Sequence, residues 1–405
     1  MDRFETGQRI ARARRRRGLS QAALAGLVGR SESWLSQVER GKRGIDSHTV
    51  LTRMAEVLRT DIAELTKPDG DDTTRSRPYP SARQIEQAMM SDTALEDRIS
   101  SHAAPRQWDT RNLQGRVKAA YHRYQATRYE EASRLLPSLI RDTEAASRAA
   151  GPGHPGLCRL RAHVYDTTAA LLNRVGEHAL AWTAADRAIS AAEQSGQPLM
   201  TALGAYRLTY VLASRNHPRE AVELAMTAAA ALDQTMSPSL RPEQLSICGG
   251  LHLAAANAAA AQYDSSTSAS LLRTAGQLAE QLGRDANLMG TAFGPVNVAI
   301  HAMSASARLG DWATVVTIGE SLDATTIPAG LIGRRTQVNL DLARAYAMRR
   351  QDAAAVNALL AAEQLSPQLV RFDSSTHDVI SGLLHREHRA STPQLRPLAR
   401  RAGLI

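Results

Sequence analysis

One local pattern recurs between residues 126 and 365, and it restricts the chain to a repetitive helical architecture. In each copy a short polar turn precedes a run with apolar residues at helical spacing. Taking Ala132, Ala179, Ala221, Ala313 and Ala353 as markers, the gaps are 47, 42, 92 and 40 residues, and the long gap spans a serine-rich turn near Ser268 that makes it two periods. Helix pairs repeating every 40–47 residues predict an α-solenoid over residues 83–405. The six copies are ATRYEEASRLL (126–136), NRVGEHALAWTAADRAI (173–189), SRNHPREAVELAMTA (214–228), AAQYDSSTSASLLRTA (260–275), ARLGDWATVVTIGESL (307–322) and RRQDAAAVNALLAAEQL (349–365).

Composition agrees with helices throughout. Apolar residues make up 43% of the 405 residues but aromatic residues only 4%, so the core must be built largely from Ala and Leu. Both are strong helix formers. No segment shows the alternating pattern of a β-strand, and the predicted fold class is all-α.

Apolar runs, the first residues and the cysteines bear on where in the cell the protein is expected to be found. No apolar run approaches the length needed to cross a membrane, and the first residues show no secretory leader. The two cysteines, Cys158 and Cys248, match neither a disulfide framework nor a zinc site, and we expect two buried thiols. The chain is therefore predicted to be soluble and cytoplasmic.

Residues 1–67 carry a different pattern. Ser20 and Ser31 are good N-cap residues for two short helices, Gly29 and Gly41 are placed to end them, and Leu35 with Val38 gives the second helix an apolar face. Two short helices joined by a tight turn make a helix-turn-helix, whose second helix enters the major groove of DNA. The segment 68–82, PDGDDTTRSRPYPSA, contains three prolines and is expected to be a linker between domains.

The charge distribution favours nucleic-acid binding by the same segment. Residues 1–67 hold 14 Lys and Arg against 8 Asp and Glu, whereas the other 338 residues hold 35 against 32. Two thirds of the net charge of +9 therefore lies in one sixth of the chain, with a block of arginines at Arg12 and 14–17. Attraction to phosphate supplies the sequence-independent part of DNA affinity.

The elements LSQAALA (19–25), VGRSESWLSQVERG (28–41) and LTRMAEVL (51–58) together resemble the XRE family of phage-repressor-like helix-turn-helix domains. The resemblance implies a five-helix, lambda-repressor-like domain that binds double-stranded DNA. It places Gln21 on a phosphate, Ser31, Glu32, Ser33 and Gln37 toward base edges, and the aromatic and basic side chains against the backbone. Glu32 departs from the usual pattern, because many relatives carry a neutral or basic residue there. A carboxylate can accept a hydrogen bond from cytosine N4, but it also repels phosphate. The DNA-binding residues predicted in this way are Gln21, Arg30, Ser31, Glu32, Ser33, Trp34, Ser36, Gln37, Arg40, Lys42 and Arg43.

The repeats resemble tetratricopeptide (TPR) repeats with lengthened helices, although the usual leading Trp and final Pro are mostly missing. An XRE head followed by TPR-like repeats resembles a class of bacterial transcription regulators. Some of these, common in actinobacteria, have no obvious ligand, and others bind signalling peptides in the repeat groove. In the peptide-binding members asparagines hold the peptide backbone. The resemblance therefore suggests Asn297, Asn339 and, one turn from the first, His301 as ligand-binding residues. The alternative is that these side chains only cap or cross-link helices of the stack.

No P-loop, zinc-protease or nucleophile-elbow motif occurs, so we expect no enzyme activity, no metal and no cofactor. Two functions remain. The first is a homodimeric transcription regulator that binds an inverted repeat of DNA and senses a peptide, a small molecule or a protein through its repeats. The second is a TPR-type interaction protein whose head mainly represses its own gene. Genome-wide mapping of bound DNA separates them: many promoters favour the first, its own promoter alone the second.

Overall fold

The structure is a computed structural model, and it describes residues 3–45, 47–58, 60, 65, 79–90, 108–151, 153–234, 241–323 and 326–405. Within these residues the secondary structure is helical and there is no strand. The all-α fold class is confirmed. The chain forms two compact units, Met1–Arg75 and Ser76–Ile405.

The first unit, called the head here, contains the predicted pair of short helices. The Ser20 hydroxyl accepts the backbone N–H of Ala23 at 3.0 Å, and the Ser31 hydroxyl accepts that of Trp34 at 3.2 Å, as their N-cap positions predict. The fifth expected helix falls on 59–67, of which only Thr60 and Leu65 are described. The head helices are α1 (Arg3–Arg16), α2 (Gln21–Leu27), α3 (Glu32–Glu39) and α4 (His48–Leu58), and their shared core is Ile10, Ala13, Leu24, Ala25, Val28, Leu35, Val38, Leu51, Met54, Ala55, Leu58 and Leu65.

The second unit, called the repeat unit, begins with α5 (Ala82–Met90) and continues as six helix pairs. The described part of the expected linker, residues 79–82, packs within this unit, while residues 68–78 lie outside the described residues. The pairs are α6 (Thr110–Gln125) with α7 (Tyr129–Ala149), α8 (Pro155–Arg174) with α9 (His178–Gln194), α10 (Pro198–Ser214) with α11 (Pro218–Gln234), α12 (Pro242–Ala261) with α13 (Ser265–Leu282), α14 (Pro295–Leu309) with α15 (Trp312–Ser321), and α16 (Ile332–Met348) with α17 (Asp352–Leu365). Three short helices follow: α18 (Pro367–Phe372), α19 (Ser374–Leu384) and α20 (Leu395–Ala402).

Every pair turns at one residue in the left-handed conformation, and this residue defines the register of the repeat. The spacings between successive turn residues are 49, 40, 47, 47 and 40 residues. The fifth residue after each turn residue is buried between the helices, and it is alanine in four of the six pairs. Ala132 and Ala221 hold this place as expected, but Ala179, Ala313 and Ala353 are exposed and lie two residues too early. The turn residues are Thr127, Gly176, Asn216, Tyr263, Gly310 and Arg350, and the buried positions after them are Ala132, Ala181, Ala221, Ser268, Val315 and Ala355.

The first helices of successive pairs, from α6 to α16, pack against one another and form the inner wall of the stack. Its two ends also meet. The Tyr79 and Phe372 rings lie 5.1 Å apart, and the backbone N–H of Glu130 donates to the Gln368 side chain at 3.1 Å. One apolar cluster contains residues from both ends of the unit. In a simple solenoid each repeat contacts only its neighbours, so the repeat unit is a closed stack and not the open concave groove expected from the sequence.

The last helix closes the core, as its basic amphipathic sequence predicts. Leu395, Leu398, Ala399 and Ala402 of α20 are buried. Its arginines stay at the surface, where Arg401 pairs with Glu363 at 2.6 Å. This helix covers apolar residues that the final repeat would otherwise expose to water.

The turn conformation gives the first testable prediction. Gly310 has φ of +82°, and a Cβ added there would have no atom within 4 Å, so only the backbone conformation resists substitution. Gly310→Ala should lower the free energy of unfolding by about 1 kcal/mol. Gly276 lies inside α13 with equal space but without a positive φ, so Gly276→Ala should raise it by roughly 0.5–1 kcal/mol. Urea midpoints measure both, and shifts of the same sign would contradict this account of the turns.

Candidate DNA interface and repeat interior

Helix α3 presents a polar face to solvent while its other face holds it in the head. Leu35 and Val38 are buried in the core. On the opposite face Ser33 is exposed and Gln37, one turn later, is half-buried. The side chains predicted for DNA binding that are exposed are Arg30, Ser31, Glu32, Ser33, Arg40, Lys42 and Arg43, and those half-buried are Gln21, Trp34, Ser36 and Gln37.

The basic residues after α3 are held beside it by backbone hydrogen bonds. The carbonyl oxygen of Gln37 accepts the N–H of Lys42 at 2.9 Å and that of Arg43 at 3.3 Å. Arg40 folds back onto its own helix, because its Nη2 donates to the Ser36 hydroxyl at 2.8 Å. At the other end of α3 the Arg30 guanidinium lies 5.5 Å from the centre of the Trp34 ring. The exposed face of α3 is therefore flanked by cations at both ends.

One member of the arginine block does not belong to this surface. Arg14 is buried, and its guanidinium donates to both carboxylate oxygens of Glu39, at 2.6 and 2.9 Å. It also donates to the backbone carbonyl of Leu19 at 2.8 Å. The pair fastens α1 to the end of α3. Among the described side chains of this block, Arg15 and Arg17 are exposed.

Gln21 joins this buried pair. Its side-chain nitrogen donates to Oε2 of Glu39 at 2.6 Å, so in the DNA-free head the amide is directed inward. Contact between α1 and α3 is close at a second place. A Cβ on Gly7 would fall 2.1 Å from the carbonyl oxygen of Val38, so only glycine fits there. The orientation of α3 thus depends on two fixed contacts with α1.

The inner wall of the repeat unit is polar, which the sequence analysis did not identify. Asp166 of α8 and Arg207 of α10 form a buried bidentate ion pair at 2.9 and 3.2 Å. Further along the wall Asp341 accepts from Ser304 at 2.6 Å and from Gln337 at 3.0 Å. A signal was present in the sequence at Arg207, the single charged residue of the otherwise largely apolar α10, because a buried charge requires a partner.

Two of the three predicted ligand-binding side chains lie within this wall. Asn297 and His301 are both buried, and the side-chain oxygen of Asn297 has no hydrogen-bond partner among the described residues. His301 lies between the Asn257 amide nitrogen at 2.8 Å and Nη1 of Arg334 at 3.3 Å. Burial, and then the charge of Arg334, lowers the pKa of His301 well below its usual value, so the ring is neutral near pH 7.

Asn339 does not occupy the place equivalent to Asn297. Asn297 lies thirteen residues before its turn residue, and the residue thirteen before the next turn residue is Gln337. Asn339 is half-buried and donates to the carbonyl of Arg335 in its own helix at 3.3 Å. Asn339 therefore lies two residues beyond the position that would match Asn297 in the next helix pair.

A cavity of about 80 Å³ remains inside the closed stack. Its wall is aromatic and basic, with three arginines from α8, α10 and α16. The residues that line it are Tyr121, Tyr124, Gln125, Thr127, Tyr129, Arg174, Tyr206, Arg207, Gly290, Ala292, Leu331, Gly333, Arg334 and Gln337. A single water needs about 10–15 Å³ on this measure, so the cavity has room for a few waters or one small polar group.

Residues 5–67 match the family model described as a helix-turn-helix domain. No curated protein matches this chain. Among solved structures, the chain is similar to a Rap protein complexed with Competence and Sporulation Factor, at 12% identity over 73% of this chain and 92% of that one, with a TM-score of 0.43. It is also similar to Bacillus thuringiensis PlcR in complex with the peptide PapR7 and DNA, at 12% identity over 79% and 95%, with a TM-score of 0.33. Both scores are low, and the architecture assigned here rests on the helix pairs themselves.

Three further observations concern the described part of the chain. Among its described residues no three His, Cys, Asp or Glu side chains lie together in a way that would hold a metal ion. None of the described helices is both long and apolar enough to cross a membrane. Cys158 and Cys248 are free and buried, as expected, and burial raises the pKa of the Cys248 thiol to about 11.

The buried pair in the head leads to a stability prediction. Arg14→Leu leaves Glu39 buried without its cation, which should lower the stability of the head by about 3 kcal/mol. Arg17 is exposed on the same block, so Arg17→Leu should change it by less than about 0.5 kcal/mol. Hydrogen exchange of peptides from α1–α4 in the full chain measures both variants. Equal exchange in the two would show that the Arg14 pair does not hold the head together.

Proposed function

We propose that the protein is a sequence-specific DNA-binding transcription regulator of the XRE type, whose repeat unit is its regulatory domain. The observation that carries this proposal is the surface of α3. A short helix, capped by Ser31 and fixed by its apolar face, presents Ser33 and Gln37 with a basic loop held beside it. This is the arrangement that a helix needs in order to enter a major groove.

The two groups of side chains have different roles in this proposal. Gln37 and the residues at the start of α3 contact base edges, and a glutamine amide can pair with adenine through two hydrogen bonds. Arg30, Lys42 and Arg43 neutralise phosphates and set the register on the duplex. Gln21 reaches a phosphate only if its amide turns away from Glu39. Glu32 is exposed at the first turn of α3 and reads cytosine N4.

The repeat unit is proposed to join two chains and to sense a ligand that is a peptide, a small molecule or another protein. One eight-residue α3 covers only a few base pairs, so useful specificity requires two half-sites. A two-fold dimer reads them as an inverted repeat with a spacing of about one helical turn. A ligand that favours one arrangement of the repeat unit changes DNA affinity by its differential affinity for the two arrangements.

The base-reading role of α3 can be separated from the phosphate-binding role of the loop. Gln37→Ala should weaken binding to a selected site by about 1–3 kcal/mol and leave binding to unrelated duplex unchanged. Lys42→Ala and Arg43→Ala should weaken both equally and lower the log–log salt slope by about 0.9 each. Fluorescence anisotropy across a salt series measures all three. Equal loss on both DNAs for Gln37→Ala, or an unchanged slope in both loop variants, would refute the assignment of these side chains.

The oligomeric state is tested separately. Light scattering of the full chain should give twice the chain mass of 43.8 kDa, both free and bound to an inverted-repeat duplex. A mass of one chain at tens of micromolar, with one chain bound per duplex, would refute the dimer. That result would not bear on the proposed role of α3 in reading DNA.

A further inference from the structure

The side chains that line the cavity inside the repeat unit carry more positive than negative charge. Arg174, Arg207 and Arg334 line it, and none of its lining residues is acidic. Arg207 is buried, whereas Arg174 and Arg334 are half-buried. Charges that are withdrawn from water in a protein are normally paired, because removing a charge from water is expensive. The hydrogen-bond and ion-pair partners of these three arginines therefore show how much of their positive charge is left uncompensated.

Only Arg207 has a carboxylate of its own. Asp166 takes both of its hydrogen bonds, and the pair is neutral as a unit. Nη1 of Arg334 lies against Nε2 of His301 at 3.3 Å, and that ring is neutral near pH 7, so it accepts a hydrogen bond but cancels no charge.

Arg174 makes no hydrogen bond or ion pair within the described part of the chain. The carboxylate whose charge reaches it is Asp373. Oδ2 of Asp373 already caps α19, accepting the backbone N–H of Thr376 at 2.9 Å and the Ser375 hydroxyl at 2.7 Å. Two guanidinium groups thus face one cavity without a hydrogen-bonded carboxylate.

Side chains at the rim of the cavity are joined by hydrogen bonds. The Tyr121 hydroxyl donates to the carbonyl of Gly290 at 2.8 Å, and both residues line the cavity. Next to them the amides of Gln125 and Asn287 pair at 2.8 and 3.1 Å. These contacts join α6 to the 284–294 segment at the rim of the cavity.

We propose that this cavity binds the anionic group of an effector, a carboxylate or a phosphate, between Arg174 and Arg334. The inference deepens the sensing role proposed above by naming the chemical class of the ligand. Guanidinium groups hold such anions through paired N–H donors, and partial burial of the site strengthens the contact by lowering the local dielectric. The rim contacts of Tyr121 and Gln125 then connect binding to the closure of the stack.

Titration calorimetry of the full chain, without DNA, tests the proposal. The probes are inorganic phosphate and succinate, at constant ionic strength in chloride. Saturable binding of at least one probe is expected, weakened at least tenfold in the double variant Arg174→Gln, Arg334→Gln. Arg159→Gln, an exposed arginine of the same α8, should bind as the wild-type chain does. Binding of phosphate alone would identify a phosphate-type ligand, and binding of succinate alone a carboxylate.

Melting temperatures of single variants provide a second test, which remains decisive if the double variant folds poorly. Without anion, Arg174→Gln removes an uncompensated charge and should not lower the melting temperature, whereas Arg207→Gln strips Asp166 of its partner and should lower it. A crystal of the wild-type chain grown with selenate should show anomalous signal between Arg174 and Arg334. Absence of saturable binding of either probe, equal affinity in the folded double variant, or selenate only elsewhere would overturn the proposal. DNA binding measured separately distinguishes this failure from failure of the proposed function.

Discussion

The close approach of the two helices in each pair, made at one buried position after each turn, is the contact on which the repeat unit depends. The turn residue takes a left-handed conformation, and five residues later Ala132, Ala181, Ala221 and Ala355 sit fully buried between helices. A small side chain there lets two helices pack at short distance, so that a core with few aromatic rings still fills its space. Because that contact recurs every 40 to 49 residues, the first helices of all pairs are brought to one side.

Closure follows from the same stacking and gives the inner wall its chemistry. Tyr79 meets Phe372 across the ends of the unit, and the side chains of the inner wall are buried or half-buried. Polar groups enclosed in this way must satisfy one another. Asp166 with Arg207 and Asp341 with Ser304 do so. Arg174 does not, and the surplus of positive charge makes the interior a candidate for an anion rather than merely a packed core.

Local features could be predicted from the sequence because they depend on neighbouring residues. The caps at Ser20 and Ser31, the helix-turn-helix and the all-helical repeat architecture are examples. The predictions were wrong where the sequence shows the length of the repeat but not the exact residue that holds each place in it. The markers at Ala179, Ala313 and Ala353 were displaced by two residues, since neighbouring alanines in Ala-rich helices look alike and only burial separates them.

Contacts between residues far apart in the chain were beyond sequence reasoning. Arg14 appeared to belong to a DNA-facing block, yet its partner Glu39 lies 25 residues away and draws it into the core. The closure at Tyr121 and Gly290 joins residues 169 apart, and no local pattern indicates it. The candidate DNA surface was predicted as a set of residues, while the position of Gln21 against Glu39 depends on how α1, α2 and α3 pack together.

The most direct measurement of the central claim is selection of duplex sequences by the full chain from a randomised library. The account predicts enrichment of one motif made of two inverted half-sites about one helical turn apart, because two copies of α3 read the two halves. Loss of that enrichment on replacing Ser33 and Gln37 with alanine, in a protein that stays folded, would tie the motif to α3. Recovery of no enriched sequence by the folded wild-type chain would contradict the claim that this protein reads DNA.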